Sequence, residues 1–214
     1  MIKKTLLVKL LVSLSIGLMP LLATPTFAQA SAAPAAEPGD APDKAAGGEQ
    51  YSPTSREYHL KAAFLRYVAK FVEWPAESMT TGTINLCVLG LVPSFDALNS
   101  INGKVVNDRT IVVSKITEVG EAKGKCQILF ITKTEEDKLK NIISAVDNLP
   151  ILAFGDMEHF AEKGGDMNFY VLNNRLAIMI NPPSVEKSRL KISERMLKVV
   201  TIVPPVEQTA KPAS

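Results

Sequence analysis

Residues 61–75, KAAFLRYVAKFVEWP, decide the fold, because they predict one helix with apolar side chains around most of its circumference. One face of this helix carries four large apolar residues at steps of four, three and four: Leu60, Phe64, Tyr67 and Phe71. A second apolar stripe lies beside it: Leu65, Val68 and Val72. Charge is confined to a narrow seam: Arg66, Lys70 and Glu73. We therefore expect a sheet, a partner protein or both to cover the helix, which should end near Trp74 because Pro75 follows it.

Short apolar runs bounded by turn residues predict the strands of a buried sheet. The runs are residues 84–89, 109–113, 127–132 and 151–154. Helices are predicted at 95–100, from Thr134 through Val146, and in a short segment from Asp156 to Phe160. Strands that alternate with helices specify an α/β domain, so we expect a largely parallel sheet with helices on both faces.

The end of the domain has a different pattern. Residues 167–172 and 175–180 flank Asn173-Asn174, two residues that tolerate positive φ, and so predict a β-hairpin that makes the sheet mixed. A last helix is predicted from Pro182 or Pro183 to Val199.

The chain outside the predicted domain forms three segments. Residues 1–28 are interpreted as an export signal, since two lysines precede the apolar run 6–22 and small residues follow it. An uncleaved signal anchor is the competing interpretation, although Gly17 and Pro20 interrupt the run. Residues 29–50 are predicted to be a disordered Ala/Pro-rich linker, and residues 204–214 a disordered tail. Residues 51–203 have the length of a single domain, which we expect to lie outside the cytoplasm.

Net charge and hydropathy argue against two classes of partner. The full chain carries a formal net charge of +2, three of its lysines lie in the signal, and no basic block occurs beyond residue 28. Nucleic acid is therefore not an expected partner. Past the signal no apolar run approaches the roughly 20 residues that cross a bilayer, so membrane insertion after signal cleavage is not expected.

Seven sequence blocks occur in an order that is similar to a known family. They are KAAFLRYVAKFVEWP, INLCVLG, GKVVNDRTIVV, CQILFIT, PILAFGD, the glycine pair before NFYVLNNRLAIMIN, and RLKISERML. Together they resemble the YfiR family of periplasmic regulators over about residues 58–203. The resemblance implies a Rossmann-like, three-layer α/β domain, often dimeric, with no catalytic residue and no cofactor.

The resemblance also implies a partner. Family members inhibit a membrane-bound diguanylate cyclase by contacting its periplasmic sensor domain. Loss of that contact raises the level of cyclic di-GMP in the cell and favours biofilm formation. Two features depart from the family's pattern: the segment 181–184 reads NPPS, and the region around Ala161 and Asn168 has no further cysteine. This chain therefore cannot use a mechanism that needs a second disulfide.

Cys87 and Cys126 are the only cysteines. An even number in an oxidising compartment favours a disulfide between them. The alternative is two reduced, buried cysteines that pack as small apolar groups. A bond would close a loop of about 40 residues and stabilise the fold by roughly 2–4 kcal/mol. A redox switch is a further role open to such a bond.

Few residues indicate catalytic or metal chemistry. His59 and His159 have no third ligand at a metal-like spacing, so no metal site is predicted. Asp108, Asp156 and Asp166 each lie beside a turn, where aspartate stabilises the local backbone.

One loop has the position of a ligand site. Residues 90–94 lead from a strand into a helix, where open α/β sheets bind small ligands, but the full G-x-G-x-x-G pattern is absent. A site there would use Gly90, with Arg109 and Arg175 as candidate anion contacts. Solvated or structural arginines are the more common case.

Two function classes stay open. The first is a periplasmic binding module whose partner surface is formed by Phe64, Tyr67 and Phe71, because aromatic groups are enriched in binding hot spots. The same side chains could instead serve the core or a homodimer. The second class is a small-ligand-binding accessory protein, or a small enzyme, that uses the Gly90 edge of the sheet.

Overall fold

The structure is a computed structural model that describes residues 53–204. The predicted signal (1–28), the predicted linker (29–50) and the predicted tail beyond Pro204 lie outside the described residues. Among the residues described, no helix is both long enough and apolar enough to cross a membrane.

Five α-helices and ten strands make up the described part of the chain. The helices are α1 (Pro53–Phe71), α2 (Phe95–Asn99), α3 (Leu139–Val146), α4 (Pro182–Lys187) and α5 (Glu194–Leu197). The strands are β1 (Val72–Glu73), β2 (Thr83–Leu89), β3 (Val105–Val106), β4 (Arg109–Ile116), β5 (Ile128–Ile131), β6 (Leu152–Gly155), β7 (Met167–Leu172), β8 (Arg175–Ile180), β9 (Lys191–Ile192) and β10 (Thr201–Ile202). Short 3-10 helices lie at Ala76–Ser78, Val119–Ala122 and Lys133–Lys138.

Eight strands form one sheet in the order β10-β8-β7-β6-β5-β2-β4-β3. Strands β4, β2, β5, β6 and β7 run parallel to one another, whereas β8 is antiparallel to β7 and β3 is antiparallel to β4. The predicted mixed, mostly parallel sheet and its hairpin are confirmed. The chain passes from β2 to β4 on one side and then to β5 on the other, so a topological switch point lies between the carboxyl ends of β2 and β5.

The two faces of the sheet bury separate clusters, because successive side chains of a strand point to opposite faces. On β2, Leu86 and Val88 pack with the core that α1, α2, α4 and α5 cover. Cys87 and Leu89 pack with the core under α3 and Val119–Ala122. We call these sides the α1 face and the α3 face. The prediction of helices on both faces is confirmed.

The path of α1 across the sheet is set by contacts near its two ends. Near its start the hydroxyl of Tyr58 donates to Asp156 Oδ2, which follows β6, at 2.9 Å. Just beyond its end Trp74 Nε1 donates to the carbonyl oxygen of Gln127, which precedes β5, at 3.1 Å. The helix therefore runs from the carboxyl edge of the parallel strands to their amino edge.

Two predicted helices have other structures. The predicted helix from Pro182 to Val199 is interrupted, because Arg189 has a positive φ of 56° and β9 pairs with β1 in place of continuing a helix. The segment from Asp156 to Phe160 forms turns, and His159 has a φ of 60° that a right-handed helix excludes. Helix α1 likewise ends at Phe71, three residues before Trp74, because Val72–Glu73 form β1.

Candidate interaction surface and sheet-edge sites

Helix α1 buries the stripe that faces the sheet and leaves the aromatic stripe partly open. The buried residues of this helix and of adjoining β1 are Tyr58, Lys61, Ala62, Leu65, Val68, Ala69 and Val72. The opposite side remains in contact with solvent, with Leu60 at 46% and Tyr67 at 42% of their full exposure. The sheet therefore covers only one arc of the helix, and the expectation that a partner protein covers the rest stays a prediction.

We define the α1 stripe as Leu60, Phe64, Tyr67 and Phe71. Phe64 and Phe71 are half-buried and pack against the core of the α1 face. The Phe64 ring meets the ring of Phe169 on β7 edge-on, with 6.2 Å between centroids, and the rings of Tyr67 and Phe71 are 4.7 Å apart. The aromatic rings of the stripe thus pack against each other or against β7, while Leu60 and Tyr67 remain open to water.

A buried charged cluster fixes the start of α1 to the sheet. Lys61 Nζ lies 2.7 Å from Asp156 Oδ1, and these two side chains are only 6% and 7% exposed. Lys61 also pairs with Glu57 one turn earlier, and its Nζ lies 4.5 Å from the centroid of the Tyr58 ring. Because the cation is surrounded by carboxylates and an aromatic ring, it serves to hold the helix in place.

The electrostatics of this cluster agree with its burial. Burial raises the pKa of Asp156, and the hydrogen bond and charge of Lys61 oppose that rise. Burial, and then the negative charge of Asp156, raise the pKa of Tyr58. The sequence interpretation of Asp156 as a turn residue missed this role. The signal that points to it is Lys61 itself, a lone cation within the arc of the helix that faces the sheet.

A second buried carboxylate lies at the start of β7. Asp166 Oδ2 accepts from the Ala153 amide at 2.8 Å, and Ser184 Oγ lies 2.7 Å from Asp166 Oδ1. Burial raises the pKa of Asp166 to about 6, against the hydrogen bonds from Ser184 and Ala153, which lower it. No sequence pattern singles out this pair, since the partners are 18 residues apart.

The predicted disulfide is present. Cys87 on β2 and Cys126 just before β5 are bonded, with 5.8 Å between their Cα atoms. Both residues are buried in the core of the α3 face. Because exposed bridges are the ones that exchange readily, this burial favours a structural role over a redox switch.

The loop at Gly90 lies at the switch point, as its sequence position predicts, but neighbouring side chains fill the space. Gly90 has a φ of +95°, and a Cβ there would overlap Thr132 Oγ1 and lie 2.6 Å from Thr134 Oγ1. The two threonine oxygens are 2.9 Å apart, and Thr134 Oγ1 accepts from the Leu91 amide at 3.0 Å. The crevice where related topologies place a ligand is therefore closed by threonines here.

The structure does not bring Gly90, Arg109 and Arg175 together. Arg109 lies at the opposite edge, where its guanidinium donates to the carbonyl oxygens of Met79 and Thr81 at 3.3 and 2.7 Å. Because seven residues of β2 separate the two edges, Gly90 and Arg109 are about 20 Å apart. Arg175 begins β8, four strands from β2 in the sheet order, which is also about 20 Å.

The two histidines have local partners, and Asp108 lies in a turn. His59 Nδ1 lies 2.9 Å from the carbonyl oxygen of Ser55, and His159 pairs with Glu162. Asp108 has a φ of 61° in the turn between β3 and β4, in agreement with its interpretation as a turn residue. Within residues 53–204 no three His, Cys, Asp or Glu side chains are grouped so that they could hold a metal ion.

Two shallow grooves flank α4, each with a volume of about 350 Å³. The first is mostly apolar and runs between α4, β9 and α5. The second lies between α3 and α4, and Lys140, Asp147 and Lys187 contribute to it. Neither of these two grooves is lined by Gly90, Arg109 or Arg175.

Comparison with solved structures gives matches of low sequence identity. One is a conserved domain protein from Vibrio cholerae O1 biovar El Tor strain N16961, with 11% identity, a TM-score of 0.47, and coverage of 72% of this chain and 60% of that chain. Another is an ABC domain in complex with L-Trp from Streptococcus pneumonia, with 10% identity, a TM-score of 0.49, and coverage of 71% and 60%. The chain thus matches 60% of the length of each of these structures.

Comparison with families gives a match that spans the domain. A search of the curated proteins found no match. The YfiR/HmsC-like family, in contrast, matches residues 58–201, from the buried Tyr58 of α1 to Thr201 of β10. The match includes the α1 stripe, both bonded cysteines and all strands of the large sheet up to the first residue of β10. Because one continuous match covers nearly the whole large sheet, the bonded cysteine pair and most of α1, the chain belongs to the YfiR/HmsC-like family.

Proposed function

We propose that this protein is a periplasmic regulator that binds the periplasmic sensor domain of a membrane-bound diguanylate cyclase and holds that enzyme inactive. In this role it lowers cyclic di-GMP and restrains biofilm formation. Membership of the YfiR/HmsC-like family supports the regulatory role. The observation that carries the docking step is the exposure of Leu60 and Tyr67 on a helix whose other side is fully packed.

The α1 stripe has the chemistry of a binding surface. Tyr67 and Phe71 present large, stiff side chains, and aromatic groups of this kind dominate measured hot spots. Contiguous apolar side chains on the surface of a soluble domain mark sites of interaction. Phe64, Tyr67 and Phe71 are therefore the residues that we assign to the partner.

The surface is also rigid before a partner arrives. Lys61 holds the start of α1 through Asp156, and Trp74 holds the segment after its end through Gln127. A surface that is already in its bound shape loses less conformational entropy on binding. Docking through α1 thus needs no rearrangement of the helix.

The test is binding of the Tyr67→Glu variant to the purified periplasmic sensor domain of the membrane diguanylate cyclase from the same organism. We expect at least a tenfold loss of affinity with an unchanged unfolding midpoint, because Tyr67 is half-exposed. Val112→Glu is the matched control, since Val112 is a similarly exposed apolar residue on β4, on the α3 face. Equal affinity of the Tyr67→Glu variant and the native chain would refute docking through α1.

A further inference from the structure

The α1 stripe continues onto an uncovered part of the sheet. Strand β6 pairs with β7 only at Met167 and Asn168, so the rest of β7 and its partner β8 extend past β6. Val171 lies two residues beyond Phe169 on β7, and therefore about 7 Å further along the same face of the sheet. Its directly opposite partner on β8 is Leu176. Val171 is 69% exposed and Leu176 is half-buried. We call Val171 and Leu176 the hairpin end.

The hairpin end and the α1 stripe are contiguous. Phe169 contacts Phe64, which places the α1 stripe beside β7. The start of α1 lies at the carboxyl edge of the sheet, where Tyr58 meets Asp156, and the hairpin extends beyond that same edge. Leu60 and Val171 thus belong to one apolar surface, made of a helix side and a strand face.

Cations line the other side of the α1 stripe. Three cations are exposed on the side of α1 away from β7: Arg56, Arg66 and Lys70. Arg56 and Lys70 lie in one row along the helix because their separation in sequence is a multiple of seven residues. Within the part of the chain that the structure describes, none of these three forms an ion pair. Two carboxylates are also exposed near this helix: Glu57 shares Lys61 with Asp156, and Glu73 lies in the same seam as Arg66 and Lys70. With three cations and one carboxylate along the seam, the apolar surface is therefore bordered by an excess of positive charge.

This charge decides which kind of partner fits. In a two-fold dimer through this surface, two copies with the same positive border would face each other. Juxtaposed like charges oppose association, whereas carboxylates would complement the cations and speed encounter. A second copy of this chain is thus disfavoured, and an acidic partner is favoured.

We propose that the α1 stripe and the hairpin end form one binding surface, an inference that rests on the proposed function. The surface binds an amphipathic segment of the partner whose apolar side chains are flanked by aspartate or glutamate. The apolar residues of the segment cover Leu60, Tyr67 and Val171. Its carboxylates pair with Arg56, Arg66 and Lys70. The β7–β8 hairpin is therefore part of the docking site, in addition to the helix.

The direct test uses two synthetic amphipathic helical peptides with the same leucine face and either glutamate or lysine at the polar positions. Fluorescence anisotropy with the full chain should show binding of the glutamate peptide, at least tenfold weaker binding of the lysine peptide, and weakening with added salt. Equal affinity for the two peptides, or no binding of the glutamate peptide, would overturn the proposal.

Two variants locate the site. Arg66→Glu combined with Lys70→Glu should weaken the glutamate peptide at least tenfold and strengthen the lysine peptide, whereas Lys140→Glu should change neither. Lys140 is the matched control because it is exposed on α3, on the other face. Val171→Glu should weaken the glutamate peptide to a similar extent, and an unchanged affinity would remove the hairpin from the site.

The same variants separate this inference from the proposed function. If the cyclase sensor domain binds the native chain, and Tyr67→Glu alone abolishes binding while the charge and hairpin variants do not, the acidic-partner inference fails and the proposed function stands. If the glutamate peptide binds and the sensor domain does not, the proposed function fails and the inference stands. A dimer by light scattering that Val171→Glu dissolves would show that a second copy occupies the surface, and would overturn the inference.

Discussion

Asp166 Oδ1 lies 2.7 Å from the hydroxyl oxygen of Ser184, and that hydroxyl also lies 3.0 Å from the carbonyl oxygen of Gly164. A hydroxyl has one hydrogen and cannot donate to both acceptors. Both short contacts are satisfied if the hydroxyl donates to Gly164 and a protonated Asp166 donates to the hydroxyl. This geometry agrees with the pKa of about 6 that burial gives Asp166.

Asp166→Asn should therefore stabilise the protein at neutral pH. The pKa of Asp166 rises from its usual 3.8 in the unfolded chain to about 6 in the folded one, so the folded state holds the proton more tightly. The stabilisation from this proton is complete below pH 3.8 and is lost as the pH rises to 6, a change of about 3 kcal/mol. Asparagine can donate to Ser184 and accept from Ala153 at every pH, so the variant keeps these bonds.

The measurement is urea unfolding of native protein and Asp166→Asn between pH 4 and pH 7.5. The two curves of unfolding free energy should meet near pH 4, diverge as the pH rises to 6 and stay apart above it, with the variant the more stable. A variant that is less stable at pH 7.5 would contradict a raised pKa for Asp166. Asp108→Asn, in an exposed turn, is the control and should be unaffected.

Lys61→Met should destabilise the domain strongly. Methionine keeps the length of the side chain but leaves Asp156 buried without its cation, and breaking a buried pair on one side costs about 3–5 kcal/mol. Lys125→Met, which breaks an exposed pair with Glu121, should cost far less because solvent screens that pair. Adding Asp156→Asn to Lys61→Met should restore part of the loss in denaturant unfolding. A double variant less stable than Lys61→Met would speak against the pair.

Gly90→Ala should reveal how tightly the switch point is filled. Alanine at a φ of +95° is strained, and its Cβ would collide with Thr132 and Thr134. Gly124→Ala is the control, because Gly124 also has a positive φ but has open space around its Cβ position. We expect Gly124→Ala to cost about 1–2 kcal/mol and Gly90→Ala clearly more, as measured by thermal unfolding. Similar losses for the two variants would indicate that the crevice is open.

Removal of the disulfide should lower stability and leave partner binding intact. The bond joins residues 39 apart in sequence, and a loop of this size corresponds to about 3–4 kcal/mol. The Cys87→Ala, Cys126→Ala double variant should unfold at a lower urea concentration, yet bind the glutamate peptide as the native chain does. Rapid reduction of the native bond by dithiothreitol under folding conditions, together with altered binding, would instead point to a switch.

Local sequence patterns were sufficient for the elements whose partners are near in the chain or buried on both sides. The buried strands, the Asn173-Asn174 hairpin and the cysteine pair follow from apolar runs, positive-φ residues and an even cysteine count. The side of α1 that faces the sheet did not follow, because both stripes are apolar and only the packing of β5 to β7 selects between them. The aromatic stripe has the larger side chains, yet the smaller residues Ala62 and Ala69 allow the closer approach to the sheet.

Long-range pairings account for the remaining differences. The helix predicted across residues 182–199 is broken because Lys191–Ile192 pair with Val72–Glu73, more than a hundred residues earlier. Asp166 and Ser184 meet only after the hairpin has formed between them. No periodicity in a single segment encodes such partners, so tertiary packing overrides the local preference.

The pairing of Val72 with Ile192 also governs the order of folding. During synthesis α1 emerges before every strand of the large sheet, yet its support includes β9, which is synthesised after β8. Contacts between segments so distant in sequence form slowly and only after most of the chain is available. A nascent chain that lacks residues 191–192 cannot complete the support of this helix, so the native state becomes accessible only after β9 has been synthesised.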